Sequence, residues 1–192
     1  MDPLLLGTAS AFGLAAASGL NASLPLLIVG VLARLGLLTL VAPFDALASD
    51  IALGGLAVLS IGEIAADKIP GADTVVQVIQ TPLTLGAGAI LFASQNSMIQ
   101  DASPGLAILV GLLTAGGIHT LRALARPVLN VATLGIGGPV ASTAEDLGAV
   151  GLTVLALIAP LLAVIALVGV VAVGGRLLVR RLVQRGRLVR AA

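Results

Sequence analysis

Residues 18–25 read Ser-Gly-Leu-Asn-Ala-Ser-Leu-Pro, and they interrupt an apolar block that otherwise runs from residue 3 to residue 41. As one helix, at about 1.5 Å per residue, that block would be roughly 58 Å long, nearly twice the ~30 Å hydrocarbon core of a bilayer. Gly19 is a poor helix former, and Pro25 has no backbone N–H for the preceding turn. We therefore predict that one helix ends in this stretch and another begins, with Ser23 or Asn21 as its cap.

The composition indicates a membrane protein. Of the 192 residues, 58% are apolar and only 10% are charged, whereas soluble globular domains are about 45–50% apolar and about 25% charged. So few charges cannot cover a water-exposed surface. The chain has no Cys and no metal, nucleotide or nucleophile motif, so we expect neither an enzyme nor a bound cofactor or metal. We also expect no nucleic-acid partner, because stacking aromatics do not accompany the basic residues.

Four further apolar blocks follow the first one, at residues 51–66, 75–95, 104–125 and 147–179. A spanning helix needs about 20 apolar residues, which most of these blocks supply. The last block is longer and contains Pro160, so it forms either two short passes or, more simply, one long, tilted and kinked helix. We predict an all-α, polytopic transmembrane bundle with five or six crossings and a single membrane domain over residues 1–192.

Self-comparison indicates an internal duplication. Residues 17–22, Ala-Ser-Gly-Leu-Asn-Ala, resemble residues 115–120, Ala-Gly-Gly-Ile-His-Thr. Residues 50–59 resemble residues 146–155 at nearly the same offset. Two matches in the same order favour a duplicated chain, although apolar sequences also align by chance.

The duplication predicts one repeat over residues 3–97 and a second over residues 104–183, each with a discontinuous helix, the second interruption lying at 116–120. Inverted repeats with discontinuous helices are a transporter architecture in which the site lies near the bilayer midplane, where half-helix ends meet. If the interrupted segments fold as hairpins instead, the two halves are parallel. The sequence leaves this orientation open.

The charge distribution predicts the topology. Six of the ten basic residues lie in the last 17 positions, from Arg176 to Arg190. A basic segment directly after an apolar block is typical of a cytoplasmic end that contacts anionic lipid headgroups. We therefore predict an inner-membrane protein with a cytoplasmic C-terminus and a basic tail at residues 184–192. Besides the lipid bilayer, a second copy or another subunit of a membrane complex is a possible partner.

Glu63 is the clearest candidate for a functional side chain. It lies within the second apolar block, and an intramembrane carboxylate costs several kcal/mol, so it commonly faces a cavity, a partner or a pathway. Glu63 is therefore either a proton- or cation-coupling group or an interfacial acid paired with Lys68 or with Arg34.

The two interrupted stretches supply the other candidates. His119 is the only histidine and matches Asn21 in the duplication; it is either a titrating group or a hydrogen-bonded packing residue. Arg122 lies one helical turn further along and can share a face with His119, or its side chain can extend to the headgroups. The predicted substrate or ion pathway comprises Asn21, Glu63, His119, Arg122, Ser18 and Gly19.

Asp50 and Asp146 occupy equivalent positions in the duplication. Each precedes an apolar segment, and an acidic side chain at that position satisfies the free N–H groups and the dipole of a helix N-terminus. We predict that both are structural helix caps.

Several of these residues together resemble a known family. They are the string Glu-Ile-Ala-Ala-Asp-Lys-Ile-Pro-Gly at residues 63–71, the upstream residues 18–21, and the spaced polar residues His119, Arg122, Arg126, Glu145 and Asp146. The chain resembles an uncharacterised family of small bacterial multi-pass membrane proteins, a domain of unknown function with the motif E-x-x-A-D-K-I-P-G. That family often has Arg before the proline of the third block, where this chain has Thr81 before Pro82. The resemblance implies an architecture and candidate positions, and no reaction.

The sequence as a whole favours a small-solute or ion transporter or channel with a site at the interface of two repeats. The alternative is a non-catalytic structural or accessory subunit of a larger membrane complex. A protein that lets lipid headgroups enter between its helices is a third possibility.

Overall fold

The computed structural model describes the backbone of residues 2–68, 73–95, 103–132 and 137–191, and within these the side chains of residues 2–68, 78–95, 103–126, 137–173, 175 and 176. This part of the chain contains seven α-helices, one short 3-10 helix and no β-strand. The predicted all-α fold is therefore confirmed. In chain order the elements are α1 (Pro3–Leu20), α2 (Ser23–Arg34), the 3-10 helix (Phe44–Ala48), α3 (Asp50–Ala66), α4 (Asp73–Gln95), α5 (Pro104–Ala132), α6 (Gly137–Ile158) and α7 (Pro160–Ala191).

Helix α1 is the central helix, and small residues form most of it. Nearly every residue from Ala9 to Gly19 is buried, and α1 packs against α4, α5, α6 and α7. Lipid tails are as apolar as leucine, so helices in a membrane associate by close packing of small residues rather than by the hydrophobic effect. The composition of α1 therefore explains why it occupies the centre.

The first predicted interruption is confirmed. Helix α1 ends at Leu20 and α2 begins at Ser23, so Asn21 and Ala22 form the turn between them. Asn21 has extended backbone angles, whereas Pro25 fits the first turn of α2, where its missing N–H would have no intrahelical acceptor.

This turn reverses the chain. The backbone N–H of Val41, which follows α2, donates to the carbonyl of Ser94 near the end of α4 at 3.3 Å. The carbonyl of the next residue, Gln95, lies beside Gly7 near the start of α1. Since Val41 has returned to the level of Gly7, α2 runs back along the bundle, and α1 and α2 form a hairpin.

The following helices continue the alternation. Helix α3 starts beside Arg34 at the end of α2 and brings Glu63 back to the start of α2. Helix α4 returns to the first residues of α1, and α5 rises again, because its Arg122 reaches the carbonyl of Leu20. We call the end of the bundle at which α1 ends the charged end, for the side chains described below.

The second predicted interruption is wrong. Residues 116–120 lie inside α5, which is continuous from Pro104 to Ala132. Gly116 and Gly117 lower helix propensity by about 1 kcal/mol each relative to alanine, but glycine keeps its N–H donor, and in lipid every backbone group must find a partner. Asn21 therefore lies in a turn and His119 in a helix, and the internal repeat stays a prediction.

The last apolar block forms two helices, so the prediction of one long kinked helix is wrong. Helix α6 ends at Ile158 and α7 begins at Pro160, since proline restricts the preceding residue and has no N–H. A Cβ built on Gly13 of α1 would touch Ala156 before the proline and Ala163 after it. Residues 166–173 of α7 then line the same cleft as Glu145 of α6. Helices α6 and α7 therefore form a second hairpin, whose turn lies beside the middle of α1.

Large apolar side chains cover the outside of the bundle, and the buried side chains are mostly small or polar. In α3 the fully buried residues are Ser60 and Glu63, whereas Ile51, Val58 and Ile61 are 70–89% exposed. A helix with its polar face inward and its apolar face outward is adapted to lipid rather than to water.

By length and hydropathy, three helices of the described part of the chain can cross a membrane: Pro3–Leu20, Pro104–Arg126 and Gly137–Ile158. Two shorter apolar helices are Ser23–Arg34 and Pro160–Val173. The count of five or six crossings stays a prediction. The side chains of the basic tail at 184–192, and residues 69–71 of the motif, lie outside the described residues.

Candidate functional site

Asn21 caps α2 and ties the α1–α2 turn to α6. Its Oδ1 accepts from the backbone N–H groups of Ser23 at 3.2 Å and Leu24 at 3.0 Å. These are donors that a helix N-terminus leaves without intrahelical partners. Its Nδ2 donates to Oδ1 of Asp146 at 2.9 Å. The predicted cap is thus present, and the same side chain links the two hairpins.

The carboxylate of Glu63 binds the same helix end. Oε1 accepts from the N–H of Ala22 at 2.9 Å, and Oε2 accepts from the N–H of Ser23 at 3.1 Å and from its hydroxyl at 2.6 Å. A helix N-terminus carries a partial positive charge, which favours an anion there. Neither of the predicted basic partners forms an ion pair with Glu63. Nζ of Lys68 lies 3.7 Å from Oδ2 of Asp146, and Nη2 of Arg34 lies 2.7 Å from Oδ1 of Asp50.

Three buried charges and one partly buried charge beside this turn alternate in a closed ring, which we call the charge ring: Arg122, Asp67 and Arg126 are buried, and Glu145 is partly buried. The guanidinium of Arg122 donates to Oδ2 of Asp67 and, at 2.7 Å, to Oε2 of Glu145. Nη2 of Arg126 donates to the same two oxygens, at 2.8 Å and 2.6 Å respectively. Both arginine side chains are 4% exposed, that of Asp67 1% and that of Glu145 16%. The charge ring joins the end of α3 to α5 and α6.

The charge ring also binds the end of α1. Nη1 of Arg122 donates to the carbonyl of Leu20 at 2.7 Å, so a cation faces the negative end of the α1 dipole. Nε2 of Gln80, from α4, donates to Oδ1 of Asp67 at 2.8 Å. Both helix ends at the turn are therefore bound by charges of the favourable sign, Arg122 at the end of α1 and Glu63 at the start of α2.

His119 lies one helical turn from Arg122 and contacts Thr81 of α4. Its Nε2 lies 3.1 Å from Oγ1 of Thr81 on α4. Both residues line a cleft of about 480 Å³ between α4 and α5. The structure therefore brings Asn21, Glu63 and Arg122 together and leaves His119 to one side.

Ser18 and Gly19 serve helix packing in the structure. The hydroxyl of Ser18 donates to the carbonyl of Ala15 at 2.7 Å within α1. A Cβ at Gly19 would lie 2.6 Å from Cβ of Ile118 and 2.7 Å from the carbonyl oxygen of Ala115. Glycine is thus required where α1 and α5 approach each other closely.

The two predicted aspartate caps have other positions. Ser49 is the cap of α3, since its hydroxyl accepts from the N–H of Ala52 at 3.2 Å, and Asp50 is the first helical residue. Asp146 is an interior residue of α6, which starts at Gly137. The prediction of a cap at Asp146 is wrong, because the helix extends upstream of the apolar run from which its start was inferred.

Asp67, Gln80, Arg126 and Glu145 were not predicted as site residues. Spacing was the available signal: Ser60, Glu63 and Asp67 recur at intervals of three and four, which is one helix face. Arg122 and Arg126 have the same four-residue spacing. Asp67 lies just after the second apolar block, at residues 51–66, so its buried position was not foreseen.

Two further clefts reach the polar residues at the charged end. One, of about 590 Å³ between α5, α6 and α7, includes Arg122 and Glu145 in an otherwise apolar lining. The other, of about 300 Å³ between α3 and α4, includes Glu63 and Gln80. Within the described residues, no group of three or more His, Cys, Asp or Glu could hold a metal ion.

Apolar helix faces on the outside and a charged cluster inside define the chain as a polytopic helical membrane protein. It belongs to the family described as Domain of unknown function (DUF4126), whose model matches residues 8–180. The resemblance to an uncharacterised family is thereby confirmed. No curated protein and no solved structure matches the chain.

Proposed function

We propose that this protein is a non-enzymatic membrane transporter or channel for a small solute or ion, whose pathway passes the charge ring at the α1–α2 turn. The observation that carries the proposal is the burial of two arginines and Asp67 in one ring with the partly buried Glu145, at the charged end of an apolar helix bundle. The ring lies between helices of both predicted halves, residues 3–97 and 104–183.

The energetic cost of the charge ring supports this proposal. Removing charges from water costs several kcal/mol per ion, and well-packed apolar residues often stabilise a fold as well as a buried ion pair does. Ionisable residues inside membrane proteins are rare and commonly mark substrate or ion pathways. A bundle that needed only rigidity would not require four such groups, so we infer that they act on a passing solute.

Reconstitution into liposomes tests the proposal. The full chain is placed in vesicles loaded with a pH-sensitive or an ion-sensitive dye, and solutes of a broad panel are added outside. We expect at least one flux above that of protein-free vesicles, and Arg126→Gln to change it about tenfold, equivalent to ~1.4 kcal/mol in a barrier. Arg34→Gln, at an exposed arginine paired with Asp50, is the control and keeps the wild-type rate.

The transport proposal fails if folded wild type and Arg126→Gln both match protein-free vesicles across the whole panel. Thermal melting in detergent shows whether each variant is folded before its flux is interpreted.

A specific observation favours the alternative, a structural or accessory subunit. Asp67 and Glu145 accept from both arginines, and Arg122 also binds the end of α1, so protein groups occupy the charge ring. Native mass spectrometry after gentle extraction tests this alternative. Co-purifying subunits in fixed ratio support it, whereas a particle of this chain alone, as a monomer or homo-oligomer, argues against it.

We further propose that the protein lies in the inner membrane, with the C-terminus in the cytoplasm and the basic tail on anionic lipid headgroups. The support is the excess of arginine after residue 175, since cytoplasmic flanks are enriched in basic residues. Because the chain has no Cys, single cysteines at Leu188 and Asp2 can be labelled in spheroplasts with an impermeant maleimide. Labelling of Asp2→Cys alone is expected, and labelling of Leu188→Cys alone contradicts this orientation.

A further inference from the structure

Four carboxylates are described beside the α1–α2 turn: Glu63, Asp67, Glu145 and Asp146. Among the described residues, Glu63 is the one of the four without a basic side chain within ion-pair distance. Asp67 and Glu145 bind both arginines, and Asp146 lies 3.7 Å from Lys68. Within the described residues, Glu63 has only the neutral donors of Ala22 and Ser23 as partners. The carboxyl group of a residue that is 6% exposed is thus bound by the N-terminus of a helix and by a hydroxyl, without a paired basic side chain among the described residues.

Gln80, which lines the same cleft as Glu63, has a buried acceptor without a partner. Gln80 is 4% exposed, and its Oε1 is buried without a donor, because its Nε2 is held by Asp67. Glu63 and Gln80 are the polar residues of the 300 Å³ cleft between α3 and α4, whose other lining residues are apolar. A buried acceptor without a partner, such as Oε1 of Gln80, costs about 1–3 kcal/mol. Oxygen acceptors around an uncompensated carboxylate match a cation rather than an anion.

We propose that Glu63 and Gln80 form a binding site for a monovalent cation, Na⁺ or H⁺, reached through the cleft between α3 and α4. The cation neutralises the carboxylate that no basic side chain pairs. The charges on neighbouring elements are Asp67 and Lys68 after α3, the two arginines of α5, and Glu145 and Asp146 of α6. The described side chains of α4, at residues 78–95, carry no charge.

This site deepens the proposed function, because a cation at Glu63, beside the α1–α2 turn, would be the transported or coupling ion. Its role in transport rests on that proposal, but cation binding itself does not. A binding measurement therefore separates the two: cation binding without flux retains this site and removes transport.

The test uses a hydrophobic carbodiimide, which reacts with protonated carboxyl groups in apolar surroundings. The purified full chain is treated with N,N′-dicyclohexylcarbodiimide in detergent, and adducts are located by mass spectrometry. We expect one main adduct, on Glu63, that Glu63→Gln eliminates. Loss of labelling as NaCl replaces choline chloride at constant ionic strength identifies Na⁺. If the labelling rate does not depend on Na⁺ and falls with rising pH through a single titration, the bound cation is H⁺.

Two glycines of α3 provide a matched pair for the route. A Cβ at Gly62 or at Gly55 would meet no atom within 4 Å, and only Gly62 lines the cleft. Gly62→Leu places a side chain in the cleft and is expected to lose most of the labelling of Glu63. Gly55→Leu lies two helical turns earlier on the same face and is expected to keep it. Both variants retain Glu63, so the comparison stands even if Glu63→Gln folds poorly.

Three results would overturn the proposal. They are the absence of an adduct on Glu63 in the folded protein, a labelling rate that responds to neither Na⁺ nor pH, and equal labelling of Gly62→Leu and wild type.

Discussion

Arg122→Ala is expected to lower the free energy of unfolding by about 3–5 kcal/mol, the range found when one partner of a buried ion pair is removed. The side chain donates to Asp67, to Glu145 and to the carbonyl of Leu20. Its loss leaves two carboxylates with only Arg126 between them and the end of α1 without its cation. The measurement is equilibrium unfolding in mixed micelles.

Arg34→Ala is the matched control for this prediction. Arg34 also forms an ion pair, with Asp50 at 2.7 Å, but the two side chains are 51% and 84% exposed. Exposed pairs contribute about 0–1 kcal/mol, so this variant stays close to wild type. Equal losses in the two variants would show that the charge ring does not stabilise the bundle.

Gly111→Leu is expected to disrupt the contact between α4 and α5, at a cost of about 3 kcal/mol or more, the upper end for overpacked sites. A Cβ at Gly111 would collide with the carbonyl oxygen of Gly88 and lie 2.7 Å from Cβ of Phe92 and 2.9 Å from Cα of Ala89. Backbone atoms of α4 fill this space, so rotation of a side chain cannot relieve the clash. The helices must separate.

Gly117→Leu is the control on the same helix. A Cβ at Gly117 would meet no atom within 4 Å, and replacing glycine by leucine gains up to about 1 kcal/mol of helix propensity. We therefore expect melting temperatures that fall strongly for Gly111→Leu and rise or stay unchanged for Gly117→Leu. A similar change in both would contradict the close approach of α4 and α5.

The ends of helices could be predicted from the sequence where a single residue type determines the backbone conformation. Pro25 and Asn21 gave the first turn, because proline cannot donate and asparagine can cap. Gly116 and Gly117 gave a wrong interruption, because glycine lowers helix propensity but keeps its hydrogen bonds. Pro160 was recognised as an interruption, but a proline permits either a kink or a reversal of the chain. Packing against α1 selects the reversal, and that packing cannot be read from the local sequence.

The candidate site was predicted in part. Glu63, Asn21 and Arg122 could be chosen because each is costly or unusual within an apolar block. The contacts that these residues make could not be predicted. Asp146, for example, is 125 residues from Asn21 in the sequence, and the second hairpin brings it beside Asn21. An ion pair was one of the two interpretations of Glu63, whereas in the structure Glu63 accepts from two backbone N–H groups and from the hydroxyl of Ser23. Every residue except proline has a backbone N–H, so the sequence does not indicate which N–H groups a carboxylate will contact.

A double-mutant cycle on Asp67→Asn and Arg126→Gln tests the charge ring most directly. Groups in contact couple by about 0.5–3 kcal/mol, whereas distant sites add within about 0.3–0.5 kcal/mol. Because Nη2 of Arg126 lies 2.8 Å from Oδ2 of Asp67, we predict that the double variant is more stable than the sum of the single losses implies, by at least about 1 kcal/mol on that scale. The pair Arg34→Gln and Arg126→Gln should add. Additive losses for Asp67→Asn and Arg126→Gln would contradict the buried ring on which the proposed pathway depends.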